Sequence, residues 1–177
     1  MPRLFSALSV PEDIAGALSL LRGGLPGARW MEPADYHITL RFIGDIDEPT
    51  ARDIDETLAE IHRRAFDVTI EGLDSFGGAR PRAIIARVTP TALLAELQAD
   101  LERRCRRAGL APETRKFTPH VTLARLRDAS PLDVADYLAT RSAPRSISFA
   151  VDHFVLMSAR ASVGGGPYIT EAVYPLI

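Results

Sequence analysis

The sequence has a single cysteine, Cys105, among 177 residues. An intrachain disulfide is therefore impossible, and nothing in the chain requires an oxidising compartment. The Cys/His cluster of a structural zinc site is missing too. Aromatic residues make up only 7% of the chain, with one tryptophan. No apolar run is long enough to span a bilayer. The net charge is only −2 and the pI is near 6.1. A protein that coats duplex nucleic acid through its phosphates is usually strongly basic, so that class is disfavoured. A small basic cleft on a near-neutral body stays compatible with these values. The opening "MPRLFSALSVPEDIAG" carries an early Arg3, but Pro11, Glu12 and Asp13 interrupt any signal-peptide core. A cytoplasmic protein is expected.

Hydrophobic residues at 46% and charged residues at 25% are ordinary for a globular chain. The length suffices for one sizeable domain or two small lobes. "RLFSALSV" reads as a strand. Pro11 then opens a helix with Ile14, Leu18 and Leu21 on one stripe, closed by Gly23-Gly24. "LPGARWMEPADY" is a turn-rich link into the strand "HITLRFIG".

A second helix is expected over 49–64, with Ile54, Leu58 and Ile61 inward. "FDVTIEGLDSF" and "AIIARVT" are strands flanking the loop "GGARPR". Residues 90–110 give the strongest helical pattern, with Leu94, Leu97, Leu101 and Cys105 on one face and Gly109 as C-cap. "HVTLARL" is a strand, a short helix is expected near 131–140, and "SISFAVDHFVLMSA" and "YITEAVYPL" read as two last strands. The Gly-rich "RASVGGGP" between them reads as a hairpin loop, without the strand-to-helix setting of a phosphate loop. Helices alternate with strands, so the class is α/β or α+β.

The chemistry lies in a repeated phrase. His37-Ile38-Thr39-Leu40 recurs as His120-Val121-Thr122-Leu123, 83 residues later and about half a chain apart. On a strand, residues i and i+2 share a face. His37 and Thr39 therefore look one way, as do His120 and Thr122, while the aliphatic residues between them pack beneath. If the strands lie side by side, two imidazoles and two hydroxyls line one cleft. One ring can be neutral and the other protonated near pH 7, giving a general base and a general acid together. Threonine hydroxyls can donate to an anionic oxygen. A phosphodiester fits this set, because in-line attack needs a base at the entering oxygen and an acid at the leaving one. A lone H-x-T on a strand is more often a core or surface histidine; the doubling is what favours function.

The sequence resembles the two-histidine (2H) phosphoesterases, and within them the 2′-5′ RNA ligase-like proteins, or RNA 2′,3′-cyclic phosphodiesterases. "RLFSAL", "RWMEPADYHITLRFIG", "PRAIIARV", "KFTPHVTLAR" and "YITEAVYPL" carry the resemblance over nearly the whole chain. It implies an α+β fold, one domain over residues 1–177 made of two pseudo-symmetric lobes. Two antiparallel-rich β-sheets would flank a central cleft, with helices outside. It implies opening of a ribose 2′,3′-cyclic phosphate to a 2′-phosphate without metal or cofactor. His37 would be the acid to the leaving 3′-oxygen, His120 the base for water, and Thr39 and Thr122 would hold the non-bridging oxygens. The family also places an aromatic at Phe42 for stacking on a base and an arginine at Arg125 for phosphate. Each lies five residues after its histidine. Strand parity points both to the opposite face, and only a bulge would bring them round; otherwise Phe42 is a core residue and Arg125 a solvated strand end.

The expected partner is an RNA with a 2′,3′-cyclic phosphate end, or a small cyclic nucleotide, with no membrane and a monomeric chain. The same site could run backwards as a 2′-5′ ligase. Rival readings are a non-catalytic RNA-end binder, a 2H hydrolase of another cyclic nucleotide, and a metal hydrolase that would need ligands beyond the two histidines. Among the remaining residues, Arg80 and Arg82 flank Pro81 and could help hold RNA. His62 reads as a helix-rim residue, His153 as a satisfied half-buried one, and Cys105 as a buried thiol.

Overall fold

The computed structural model describes residues 3–141, 146–159 and 167–177. The chain runs β1 (Arg3–Ser9), α1 (Glu12–Ser19), β2 (Ala28–Trp30), a 3₁₀ turn (Pro33–Asp35) and β3 (His37–Asp45). It continues as α2 (Glu48–Ala59), β4 (Phe66–Phe76), β5 (Ala83–Val88), α3 (Ala92–Arg107) and β6 (His120–Leu126). Last come α4 (Pro131–Thr140), β7 (Ile147–Val151), β8 (His153–Ala159) and β9 (Ile169–Pro175).

The fold is α+β, with antiparallel strand pairing throughout the described residues. The strands form one continuous nine-stranded sheet rather than the two separate sheets expected, and two halves are visible in its order. One is β7-β4-β5-β6, with β2 on the far edge of β6; the other is β3-β1-β8-β9. They join through the single pair Ile38↔Val121, the residues between each histidine and its threonine. The units β1–α1–β3 and β5–α3–β6 repeat one plan, in which a strand and a helix lead to an antiparallel neighbour of that strand.

Local chemistry accounts for the helix starts. Asp47, Thr91 and Ser130 each accept a backbone N–H of the first turn of α2, α3 and α4. Gly109, at φ +104°, closes the turn after α3. Leu94, Leu97, Leu101 and Cys105 are buried along α3, and they share one core cluster with Ile38, Leu40, Val121 and Leu123. The aliphatic residues of both H-x-T-L phrases thus sit under the helices, and the polar ones face away. Burial pushes the Cys105 thiol up to about 11, as its place on an apolar stripe implies.

Four expectations about single elements need correction. α1 ends at Ser19, so Leu21 lies beyond it in the turn, half-buried against the core. α2 ends at Ala59 rather than continuing to 64, although Ile61 is still buried beyond it. The run "SISFAVDHFVLMSA" is two strands, not one. β7 pairs with β4 in one half and β8 with β1 in the other, so the chain crosses between halves at Asp152. The turn-rich link hides β2, whose three residues pair with the end of β6. Most of the Gly-rich "RASVGGGP" lies outside the described residues.

Candidate active site

β3 and β6 place the two repeated phrases face to face. The antiparallel pair Ile38↔Val121 sets the register. Stepping one residue either way puts His37 across from Thr122 and Thr39 across from His120. The four polar residues form a square with the histidines on one diagonal. Diagonal cross-strand neighbours lie roughly 7–8 Å apart. That backbone spacing sets both imidazoles on neighbouring strands of one face, where both could approach a single small anion.

Both rings are fixed in the same way. His37 Nδ1 lies 2.8 Å from the Asp35 carbonyl, and His120 Nδ1 lies 2.8 Å from the Thr118 carbonyl. A carbonyl oxygen only accepts, so each Nδ1 carries a proton. Each Nε2 is then the atom that changes with protonation, a lone pair in the neutral ring and an N–H in the charged one. His37 Nε2 lies 3.0 Å from Thr39 Oγ1. His120 Nε2 has no partner among the described residues.

The surroundings of the rings differ. His37 is packed by Phe5 at 4.9 Å and edge-on by Tyr168 at 5.0 Å. The Asp35 carboxylate accepts the backbone N–H of Tyr168 at 3.2 Å, which ties β9 to the approach to β3. His120 meets Phe76 edge-on at 4.8 Å and borders an open cleft of about 280 Å³. Burial lowers the His37 pKa below its usual value; the Asp35 carbonyl bond opposes this, while His120 and Arg125 add to it. Burial lowers the His120 pKa as well, against its bond to Thr118.

A bulge decides the two positions that strand parity had turned away. Between β1 and β3 the register slips so that Leu40 has no partner, since Ser6 pairs with Arg41 and Ala7 with Thr39. Between β5 and β6 the same slip leaves out Leu123, since Ile84 pairs with Ala124 and Ile85 with Thr122. The extra residue inverts the alternation. Leu40 and Arg41 are both buried, as are Leu123 and Ala124, and Phe42 and Arg125 return to the open face with the histidines. Phe42 is 52% exposed and lines the cleft, so it is not a core residue. Arg125 is exposed and lies close enough to His37 to act on its charge.

Several neighbours of the site had no sequence signal. Phe5 and Tyr168 reach His37 from opposite ends of the chain. Arg41 is 7% exposed and donates to Glu102 Oε2, to the Phe42 carbonyl and to the Ala111 carbonyl, each at 2.6 Å. Glu102 in turn accepts the Glu113 N–H at 3.0 Å. This buried pair clamps the segment after α3 against β3. Of the remaining candidates, Arg82 lines the cleft; His62 and His153 do not, and His153 bonds Asp152 at 2.7 Å. Among the described residues no group of three or more His, Cys, Asp or Glu side chains could hold a metal ion, and no helix is long and apolar enough to cross a membrane.

The profile of the 2′-5′ RNA ligase superfamily matches residues 10–162. The chain belongs to that superfamily. Within it, the chain is 39% identical to an RNA 2′,3′-cyclic phosphodiesterase of Aeropyrum pernix over 63% of this chain and 64% of that one. It is 32% identical to one of Geobacillus stearothermophilus over 98% of this chain and 57% of that one. The chain thus spans less than two thirds of either relative's length. Among solved structures, E. coli LigT complexed with 3′-AMP superposes with a TM-score of 0.80, at 25% identity over 99% of both chains. The superfamily fold agrees with the α+β arrangement of two antiparallel halves described above.

Proposed function

We propose that this chain is an RNA 2′,3′-cyclic phosphodiesterase that opens the cyclic phosphate to a 2′-phosphate by two-histidine acid–base catalysis. The observation that carries this reading is the diagonal of His37 and His120, each with Nδ1 tied to a carbonyl and Nε2 turned to the shared face. Relatives named for that activity, and a neighbour that binds a nucleotide phosphorylated at its 3′-oxygen, support the substrate class.

The step balances without an added cofactor. A water oxygen attacks phosphorus, and His120 Nε2 takes its proton. The bond from phosphorus to the 3′-oxygen breaks in line, and His37 Nε2 gives that oxygen a proton. The product is a 2′-phosphate beside a free 3′-hydroxyl. A second proton exchange between the rings through solvent resets the pair. Thr39 and Thr122 donate to the non-bridging oxygens, where negative charge grows in the transition state. Arg125 adds a fixed positive charge on the same face. Phe42 offers its exposed ring to the base. The assignment of His37 as acid and His120 as base follows the family resemblance.

A cation-free test is direct. A short RNA ending in a 2′,3′-cyclic phosphate is incubated with the protein in EDTA, and the product is identified. A 2′-phosphate end is the expected result. A 3′-phosphate would reverse the geometry of the bound ribose, and turnover that vanishes in EDTA would replace the mechanism with a metal-dependent one.

A further inference from the structure

Outside the His/Thr square the two sides of the site differ in charge. The His37 side is closed by Phe5 and Tyr168. The His120 side is open, and Arg41, Arg82, Arg115 and Lys116 line it with Glu113 as the one carboxylate. Arg41 is paired with Glu102 behind the wall, so the other three cations against one anion leave it two charges positive, on a chain whose net charge is −2. Arg115 is shared with Glu113 at 3.4 Å on the surface. Arg82 and Lys116 form no ion pair among the described residues.

These cations stand on fixed backbone. Arg82 donates its N–H to the Phe76 carbonyl at 2.7 Å and accepts from Leu126 N–H at 2.8 Å. The loop before it closes on Gly77 at φ +107°, where a Cβ would run into the Arg80 carbonyl oxygen. Lys116 lies on the segment held at one end by Arg41 and Glu102, and at the other by His120 Nδ1 on the Thr118 carbonyl.

We propose that Arg82 and Lys116, with Arg115, form a subsite for the phosphate on the 5′ side of the terminal nucleotide, so that the site selects RNA ends over a lone cyclic mononucleotide. This rests on the function proposed above. With the cyclic phosphate on the histidine diagonal and the base on Phe42, the chain continues from the 5′-oxygen. It must leave by the open side, and the open side is the cationic one. A nucleoside 2′,3′-cyclic phosphate with a free 5′-hydroxyl has no charge to offer there.

The test compares kcat/KM for ApA bearing a 2′,3′-cyclic phosphate with that for adenosine 2′,3′-cyclic phosphate. A charge-assisted contact predicts a preference for the dinucleotide of about tenfold or more at low salt. In the Arg82→Ala/Lys116→Ala double variant that ratio falls at least about fivefold, and Arg82→Lys/Lys116→Arg retains it. Added salt reduces the ratio in the wild-type protein. Equal kcat/KM for the two substrates, or a ratio unchanged in the alanine variant, overturns the subsite alone. Turnover of neither substrate by the wild-type protein overturns the underlying function, and the subsite with it.

Discussion

His37 and Thr39 share a hydrogen bond of 3.0 Å, Nε2 to Oγ1, whose direction depends on the charge of the ring. With Nδ1–H given to the Asp35 carbonyl, a neutral His37 can only accept, so the Thr39 hydroxyl proton points at it. Once His37 is protonated, Nε2–H donates to Thr39 and the hydroxyl proton is free for a phosphate oxygen. Under the proposed mechanism, protonating His37 and freeing the Thr39 hydroxyl are one event.

Thr39→Val should therefore lower kcat by about 10²-fold, the usual loss for one oxyanion donor. Thr39→Ser keeps the hydroxyl and should recover most of that rate. Steady-state kinetics of the two variants on one RNA substrate decide the point. Equal losses would assign Thr39 a packing role instead.

The pH profile follows from burial. Both histidine pKa values lie below the usual value near 6.5 in the free protein. A plot of kcat/KM reports free-enzyme groups, so its alkaline limb, where the acid loses its proton, should begin below pH 6.5. A bound phosphate dianion favours the charged rings, so histidine resonances followed by NMR should titrate at higher pH with inorganic phosphate present. Stability runs the other way. Above pH 6.5 both states hold these rings neutral and the contribution is whole. As pH falls below 6.5 the unfolded chain takes up protons first, and stability drops until the lowered folded values are reached. The urea midpoint should fall between pH 7 and pH 5.5 by less in a His37→Ala/His120→Ala variant than in the wild-type protein.

The roles of the two rings can be separated by the leaving group. A p-nitrophenyl phosphodiester of the nucleoside needs no proton on its leaving oxygen. His37→Ala should recover much of its lost rate on such a substrate, and His120→Ala should not. Recovery in the His120 variant alone would exchange the acid and the base.

Arg41 and Glu102 make the most buried ion pair near the site, with side-chain exposures of 6% and 18%. Burial alone would raise the Glu102 pKa, but the Arg41 guanidinium and the Glu113 N–H outweigh it and hold the carboxyl below its usual range. Removing one partner leaves a buried charge unpaired. Arg41→Met should cost about 3–5 kcal/mol in urea unfolding. It should also loosen the 111–118 segment, read as faster amide hydrogen exchange there.

The sequence made the two H-x-T-L strands legible because their period of two and their doubling are local. It also showed α3, whose leucines and Cys105 repeat at helical spacing. The bulges at Leu40 and Leu123 were hidden, since a register slip is a property of the neighbouring strand rather than of the residues that slip. That one missing fact turned Phe42 and Arg125 to the wrong face. The break at Asp152 was hidden as well, because apolar alternation continues across it while the chain changes halves. Phe5, Tyr168 and the Arg41–Glu102 clamp meet the site only through long-range contacts, which periodicity does not carry.

The most direct test of the account is the rate of RNA 2′,3′-cyclic phosphate opening by His37→Ala and His120→Ala, each checked for folding by circular dichroism. The account predicts a loss of about 10²–10⁴-fold in each variant, with RNA binding retained. A folded variant of either histidine that keeps the wild-type rate would contradict it.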